Sequence, residues 1–194
     1  MKLRQPKEAG KSKFSRFFIP IFILVTLVLS AFGIIVFKQP ESESFEYKNS
    51  LFIQDTSGFS TRINNQKINF LYDPRTLEDL SVAPLTLTQF SYGSKFYLAA
   101  NPNEDVGLAL YEFNRLIVPL INKRFVQACS EDVAGCENTV LKTCADATPE
   151  EKVVLFKESN SSSLTYNLNC LIIQGSGEEM TKLTNKLALN FLFN

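Results

Sequence analysis

The stretch Leu164–Leu183, LTYNLNCLIIQGSGEEMTKL, decides how the chain is read. In its first half Leu164, Tyr166, Leu168, Cys170 and Ile172 alternate with Thr165, Asn167 and Asn169, the period of two expected of a half-buried β-strand. From Leu171 both parities are apolar, so the far end of that strand should be covered on both faces. Ser176-Gly177-Glu178-Glu179 then forms a capping box, and Met180, Leu183, Leu187 and Phe191 recur at helical spacing. The passage reads as one strand running into a capped helix.

Working outward, the same order occurs once more. Phe96 to Ala100 is an apolar strand, and Asn101-Pro102-Asn103-Glu104 combines a cap, a proline at the first helical position and a glutamate at the third. Val106, Leu110, Phe113, Ile117 and Leu120 make a stripe that should face a sheet, and Pro119 must kink or split that helix, whose second part is expected to run through Phe125. Val153 to Phe156 is a further short strand, and Glu158 to Ser163 a polar turn. Upstream, Phe59, Thr61 and Ile63 alternate up to Asn64-Asn65, and Ile68, Phe70 and Tyr72 alternate after it, which predicts a hairpin. Asp73-Pro74 ends that strand, with Asp73 capping a helical turn over Thr76 to Leu80. Leu85-Thr86-Leu87-Thr88 alternates again. Strands in runs with helices between them indicate an α+β domain over residues 45–194, built on an antiparallel sheet with two main helices.

Ahead of this domain lies Phe17–Phe37, FFIPIFILVTLVLSAFGIIVF, twenty-one residues without a charge. As a helix it would be about 32 Å long, enough for a hydrocarbon core of about 30 Å. Residues 1–16 hold six basic side chains against Glu8 alone, leaving fourteen basic and nineteen acidic residues after position 37. The positive-inside rule therefore predicts a single-pass protein of the cell membrane, with a cytoplasmic tail (1–16), a transmembrane helix (17–37), a short linker (38–44) and an extracytoplasmic domain. Ala31-Phe32-Gly33 would suit a signal peptidase, but the apolar run continues beyond it, so the segment reads as a retained signal-anchor. Thr26, Ser30 and Gly33 share one helix face and are candidates for helix packing.

Cys129, Cys136, Cys144 and Cys170 all follow the apolar run, which suggests two disulfides in an oxidising compartment. Of the three pairings the sequence allows, loop proximity favours Cys129 with Cys136, which leaves Cys144 with Cys170; the nested arrangement, Cys129 with Cys170 and Cys136 with Cys144, is the alternative. The spacing has no C-x-x-C knuckle and the chain has no histidine, so no metal and no cofactor are expected. Lack of histidine also removes Ser-His and Cys-His nucleophile pairs. Glu150-Glu151, Glu178-Glu179 and Ser161-Ser162-Ser163 read as surface and capping residues, and no catalytic residue is assigned. Gln174-Gly175-Ser176-Gly177 carries only half of a phosphate-binding glycine loop. Asn160-Ser161-Ser162 is an N-glycosylation sequon in a polar turn.

The turn Phe70-Leu71-Tyr72-Asp73-Pro74 with Leu77-Glu78-Asp79 after it, and Asn169-Cys170-Leu171-Ile172-Ile173-Gln174-Gly175 before a helix, resemble small membrane-anchored proteins of archaeal genomes. That resemblance implies no activity. The expected partners are the lipid bilayer and another membrane or envelope protein, and not nucleic acid, since the domain lacks a basic surface. The expected role is that of a non-enzymatic interaction or structural component of the envelope. Its rival is a small-ligand receptor or His-independent enzyme, with a carboxylate, Tyr and Asn site between the sheet and the Pro119-kinked helix.

Overall fold

The computed structural model describes residues 20–29 and 43–193, and the chain divides into two compact units, Met1–Ser42 and Glu43–Asn194. In the first unit residues 20–29 are helical (α1), with Ile21, Phe22, Leu24 and Leu27 each more than half exposed. Thr26 Oγ1 donates within its own helix, to the carbonyls of Phe22 and Ile23 at 3.0 and 2.9 Å. The basic tail, the rest of the 17–37 run with Ser30 and Gly33, and most of the linker lie outside the described residues. Among the described residues no helix is long and apolar enough to cross a membrane.

The second unit opens with a four-stranded antiparallel meander, β1 (Ser44–Tyr47), β2 (Ser50–Asp55), β3 (Gly58–Ile63) and β4 (Gln66–Phe70). Asn64 and Asn65, at φ 50° and 64°, make the expected tight hairpin, and Lys48-Asn49 makes another at 47° and 61°. Asp73 caps a 3-10 turn, Pro74–Leu77. Leu85-Thr86-Leu87-Thr88 is not a strand: Thr86 and Gln89 form a capping box that starts helix α2 (Leu87–Ser91).

A five-stranded sheet follows, and it departs from the antiparallel expectation. Its strands are β5 (Lys95–Ala100), β6 (Arg124–Cys129), β7 (Glu151–Glu158), β8 (Ser163–Asn167) and β9 (Cys170–Gly175), in the order β6-β5-β7-β9-β8. The β6-β5, β5-β7 and β7-β9 pairs are parallel, and only β8 runs against its neighbour. The sheet is therefore mixed, because the chain returns to the same end through helices and a long loop. Crossover helices α3 (Gly107–Leu116) and α4 (Val118–Ile121) are split at Ile117, and Pro119, expected to break the helix, sits in the first turn of α4. The helix ends earlier than Phe125, however: Asn122 turns left-handed at φ 49°, and Phe125 enters β6. The start is also displaced. Asn101 Oδ1 accepts from Asn103 N at 3.0 Å in a local turn, and the helix proper begins only at Gly107.

The opening stretch is not one strand but two. Leu168 and Asn169 adopt φ 46° and 69° and reverse the chain between β8 and β9. The two-residue turn inverts the parity: Leu164 and Tyr166 share the core face with Leu171 and Ile173, whereas Cys170 and Ile172 lie on the opposite face, and the pattern reads as one strand only because both faces of the sheet are covered.

One face of this sheet, through Phe96, Val154, Phe156, Leu171 and Ile173, shares a core with α3, with the terminal helix α5 (Gly177–Phe193) and with the aromatic side of the meander. Tyr47 and Phe52 both meet Phe193. α5 is buried almost all round rather than along one stripe, and Thr181 and Thr184 satisfy their hydroxyls on the carbonyls of Gly177 and Met180. Asn185 links α5 to the meander and to α3, accepting from Leu71 N and donating to Glu112 Oε2 at 3.0 Å. The opposite face, with Tyr97, Ala99, Ala128, Val153 and Cys170, packs against Cys144 and Ala147 of the 130–150 loop instead of a helix. The disulfide Cys144–Cys170 ties that loop to the sheet, and Cys129–Cys136 closes its first turn. Parallel sheets need cover on both faces, and here a stapled loop supplies the second cover.

A donor-lined pocket at the start of strand β7

Parallel sheets usually receive ligands outside the carboxyl ends of their strands. Here that end is filled by the protein's own carboxylates. Glu104 Oε2 accepts from Glu158 N at 2.6 Å, and Glu179 Oε2 accepts from Ser176 N at 2.9 Å, which holds the Glu179 carboxyl below its usual range. Asp105 occupies the space where a Gly177 side chain would stand, which is why glycine is required there. The half glycine loop at Gln174–Gly177 thus meets two acids and has no place for a phosphate.

The expected cleft between the sheet and the Pro119 helix is likewise filled. Phe113 packs against Phe125 and Phe156 with ring centroids 6.3 and 5.7 Å apart, so the sheet-facing side of α3 is core.

The open site lies at the other end of the sheet. Lys152, the second residue of β7, has the parity of Val154 and Phe156 and so points to the core side, opposite Phe96 in the register. It is only 3 % exposed. Gly93 covers its methylene stem, at a distance where a Cβ would stand 3.3 Å from Lys152 Cε. Its Nζ donates to Tyr166 Oη at 2.6 Å and to Asn169 Oδ1 at 3.3 Å, and lies 5.4 Å from the Tyr166 ring centre. No carboxylate forms an ion pair with it among the described residues. A buried ammonium normally needs such a partner. Lys152 instead lines a pocket of about 660 Å³ with Tyr166, Asn169, Gln89, Thr88 and the 79 %-exposed ring of Tyr92, closed on its apolar side by Pro84 and Leu85.

Three elements assemble these groups. The capping box of α2 holds Gln89, the β8–β9 turn presents Asn169 at positive φ, and Tyr166 lies one residue before the end of β8. Across the sheet, Tyr97 sits between the ammonium groups of Lys95 and Lys142, 4.3 and 4.6 Å from its ring centre. Both lysines pair there with Glu151, at 3.6 and 3.7 Å, and Lys95 also donates to the Tyr97 hydroxyl. That second cluster contains a carboxylate; none lines the Lys152 pocket.

Comparison with family models, with curated proteins and with solved structures returned no match. Function therefore rests on the site.

Of the residues singled out in the sequence, the four cysteines form the two short-range pairs and do not meet the pocket, except that Cys170 follows Asn169. Asn160 is exposed in the β7–β8 turn, where a glycan would have room. Glu150-Glu151 and Glu178-Glu179 do not converge: Glu151 serves the Tyr97 cluster, Glu178 pairs with Lys182 at 2.7 Å, and Glu179 caps its own helix. Among the described residues no group of three acidic or cysteine side chains could hold a metal ion. Lys152 itself escaped the sequence reading. Its signal was a lysine in phase with Val154 and Phe156, on the core side of an apolar strand.

Proposed function

We propose that this chain is a single-pass membrane protein whose extracytoplasmic domain acts as a binding module at the membrane surface, taking its ligand in the Lys152 pocket. The observation that carries the binding role is the Lys152 ammonium, nearly buried, held by neutral partners and facing an open pocket. A charge kept in so dry a place without an internal counter-charge is suited to a ligand that supplies one. The membrane assignment is supported by the uncharged 17–37 run behind a basic tail and by the exposed apolar side chains of α1. Two closed disulfides support an oxidising compartment.

Two measurements test this. An impermeant thiol reagent added to intact cells should label the cysteines only after reduction; labelling that requires lysis would place the domain inside. A photo-crosslinking residue at position 92, on the pocket rim, should trap an envelope component that one at the exposed Leu108 of α3 does not. Equal capture from both positions would remove the pocket from the account.

A further inference from the structure

We infer that the Lys152 pocket recognises an organic monocarboxylate with an apolar or aromatic body. This rests on the pocket being the binding site and goes on to assign the chemistry of its ligand. Lys152 Nζ has three N–H donors and spends two, on Tyr166 Oη and Asn169 Oδ1. Asn169 has committed its oxygen to that bond, which leaves its Nδ2 as a donor. Gln89 has committed its oxygen to Thr86 N at 3.2 Å, which leaves its Nε2. Three N–H-bearing groups thus line one pocket, and none of the residues lining it is acidic. Such a lining favours an acceptor with negative charge.

The single cation decides the class of anion. A phosphate dianion carries about two charges and several strong acceptors, and is commonly met by arginine or by a run of backbone N–H groups. One ammonium with two amides matches a planar carboxylate of one charge. Apart from the Thr88 hydroxyl, the rest of the pocket is mostly carbon: Pro84, Leu85 and the rings of Tyr166 and Tyr92. Tyr92, far out in solvent, offers a flat face on which an aromatic or acyl body can lie.

The test uses the full chain in nanodiscs of zwitterionic lipid, with empty discs as the blank, and ligand-observed NMR titration of phenylacetate. Phenylacetate should bind, and its neutral isostere phenylacetamide should bind at least about tenfold more weakly, as should phenylacetate to Lys152→Met. Asn169→Asp is the sharper variant. It retains the acceptor for Lys152 and suits the left-handed backbone, but its carboxylate occupies the ammonium, so phenylacetate binding should fall by a similar factor while the melting temperature holds. If the amide binds as well as the acid, or Asn169→Asp binds as well as the wild type, the carboxylate assignment fails although the pocket stands. Competition by inorganic phosphate at lower concentration than phenylacetate would overturn it in favour of a phosphate class. Binding of neither probe would remove both the ligand class and the pocket.

Discussion

The two disulfides should differ in what they contribute, and the difference follows from the loops they close. Cys144–Cys170 spans 26 residues and Cys129–Cys136 spans 7. Loop-closure entropy in the unfolded chain gives about 3.5 kcal/mol for the longer crosslink and about 2.4 kcal/mol for the shorter one at room temperature. Cys129, Cys136 and Cys170 are buried and Cys144 is partly buried, so any difference in lost packing falls on the shorter crosslink and works against the predicted order. For a domain of this size each kcal/mol corresponds to roughly 2–4 °C in melting temperature. The Cys144→Ala/Cys170→Ala chain should therefore melt about 7–14 °C below the wild type, and Cys129→Ala/Cys136→Ala about 5–10 °C below. Thermal melts followed by circular dichroism on the full-length protein in detergent would measure both. If the shorter loop costs as much as the longer one, or more, loop closure is not what the crosslinks supply here. The larger effect also has a structural correlate: without its staple the 130–150 loop can lift from the Tyr97 face, exposing Val153 and Ala99, and those strands should lose hydrogen-exchange protection first.

Three other outcomes are expected. Leu168→Asn should raise stability by about 1 kcal/mol, since leucine holds φ 46° at a position 80 % exposed, where it gains little from burial; an unchanged or lower melting temperature would remove strain from the account of that turn. Glu112→Ala should cost about 2–3 kcal/mol in urea unfolding, because this 3 %-exposed carboxylate takes Arg115 at 3.0 and 2.7 Å and Asn185 at 3.0 Å, while Arg115 keeps its bond to the Asn69 carbonyl and Asn185 its bond to the Thr181 carbonyl; a cost under about 1 kcal/mol would mean the network is dispensable. The side-chain hydrogen bonds from Arg75, followed by the backbone bond from Arg75 N, hold the Asp73 carboxyl below the usual aspartate range. A depressed folded value means that this stabilisation is complete above about pH 4 and is lost as pH falls through the folded value, so Asp73→Asn should flatten the acid limb of the stability profile below about pH 4. An identical acid limb in the variant would contradict that linkage.

Much of the local structure was legible because its causes are local. Asn64-Asn65 announces a hairpin, Ser176 and Glu179 a helix start, and Pro119 a break, since each acts through its own backbone within a few residues. The misreadings share a different cause. Asn101 to Glu104 has the residues of a helix start, yet Asn101 turns onto Asn103 and Glu104 is drawn 54 positions along the chain to Glu158 N. Leu85 to Thr88 alternates like a strand, yet one capping pair makes it helical. In each case a competing hydrogen-bond partner outweighed a pattern.

The apolar run at 17–37, the cysteines confined to the region after it, the lack of histidine and most caps and turns are properties of the sequence by itself, because hydropathy, charge and backbone preference need no distant partner. Parallel pairing of β5 with β6 and β7, the hairpin hidden at Leu168-Asn169, and the pocket were decided only by the tertiary structure. Strand direction depends on which way the intervening chain returns, and the two-residue turn moves Cys170 and Ile172 to the face opposite Leu164 and Tyr166, which the alternation hides because both faces are apolar. Lys152, Gln89 and Asn169 become one site only when a strand, a helix and a turn are brought to the same end of the sheet. The stretch that reads as one strand holds both the turn that folds it in half and the asparagine that helps to fix the buried lysine.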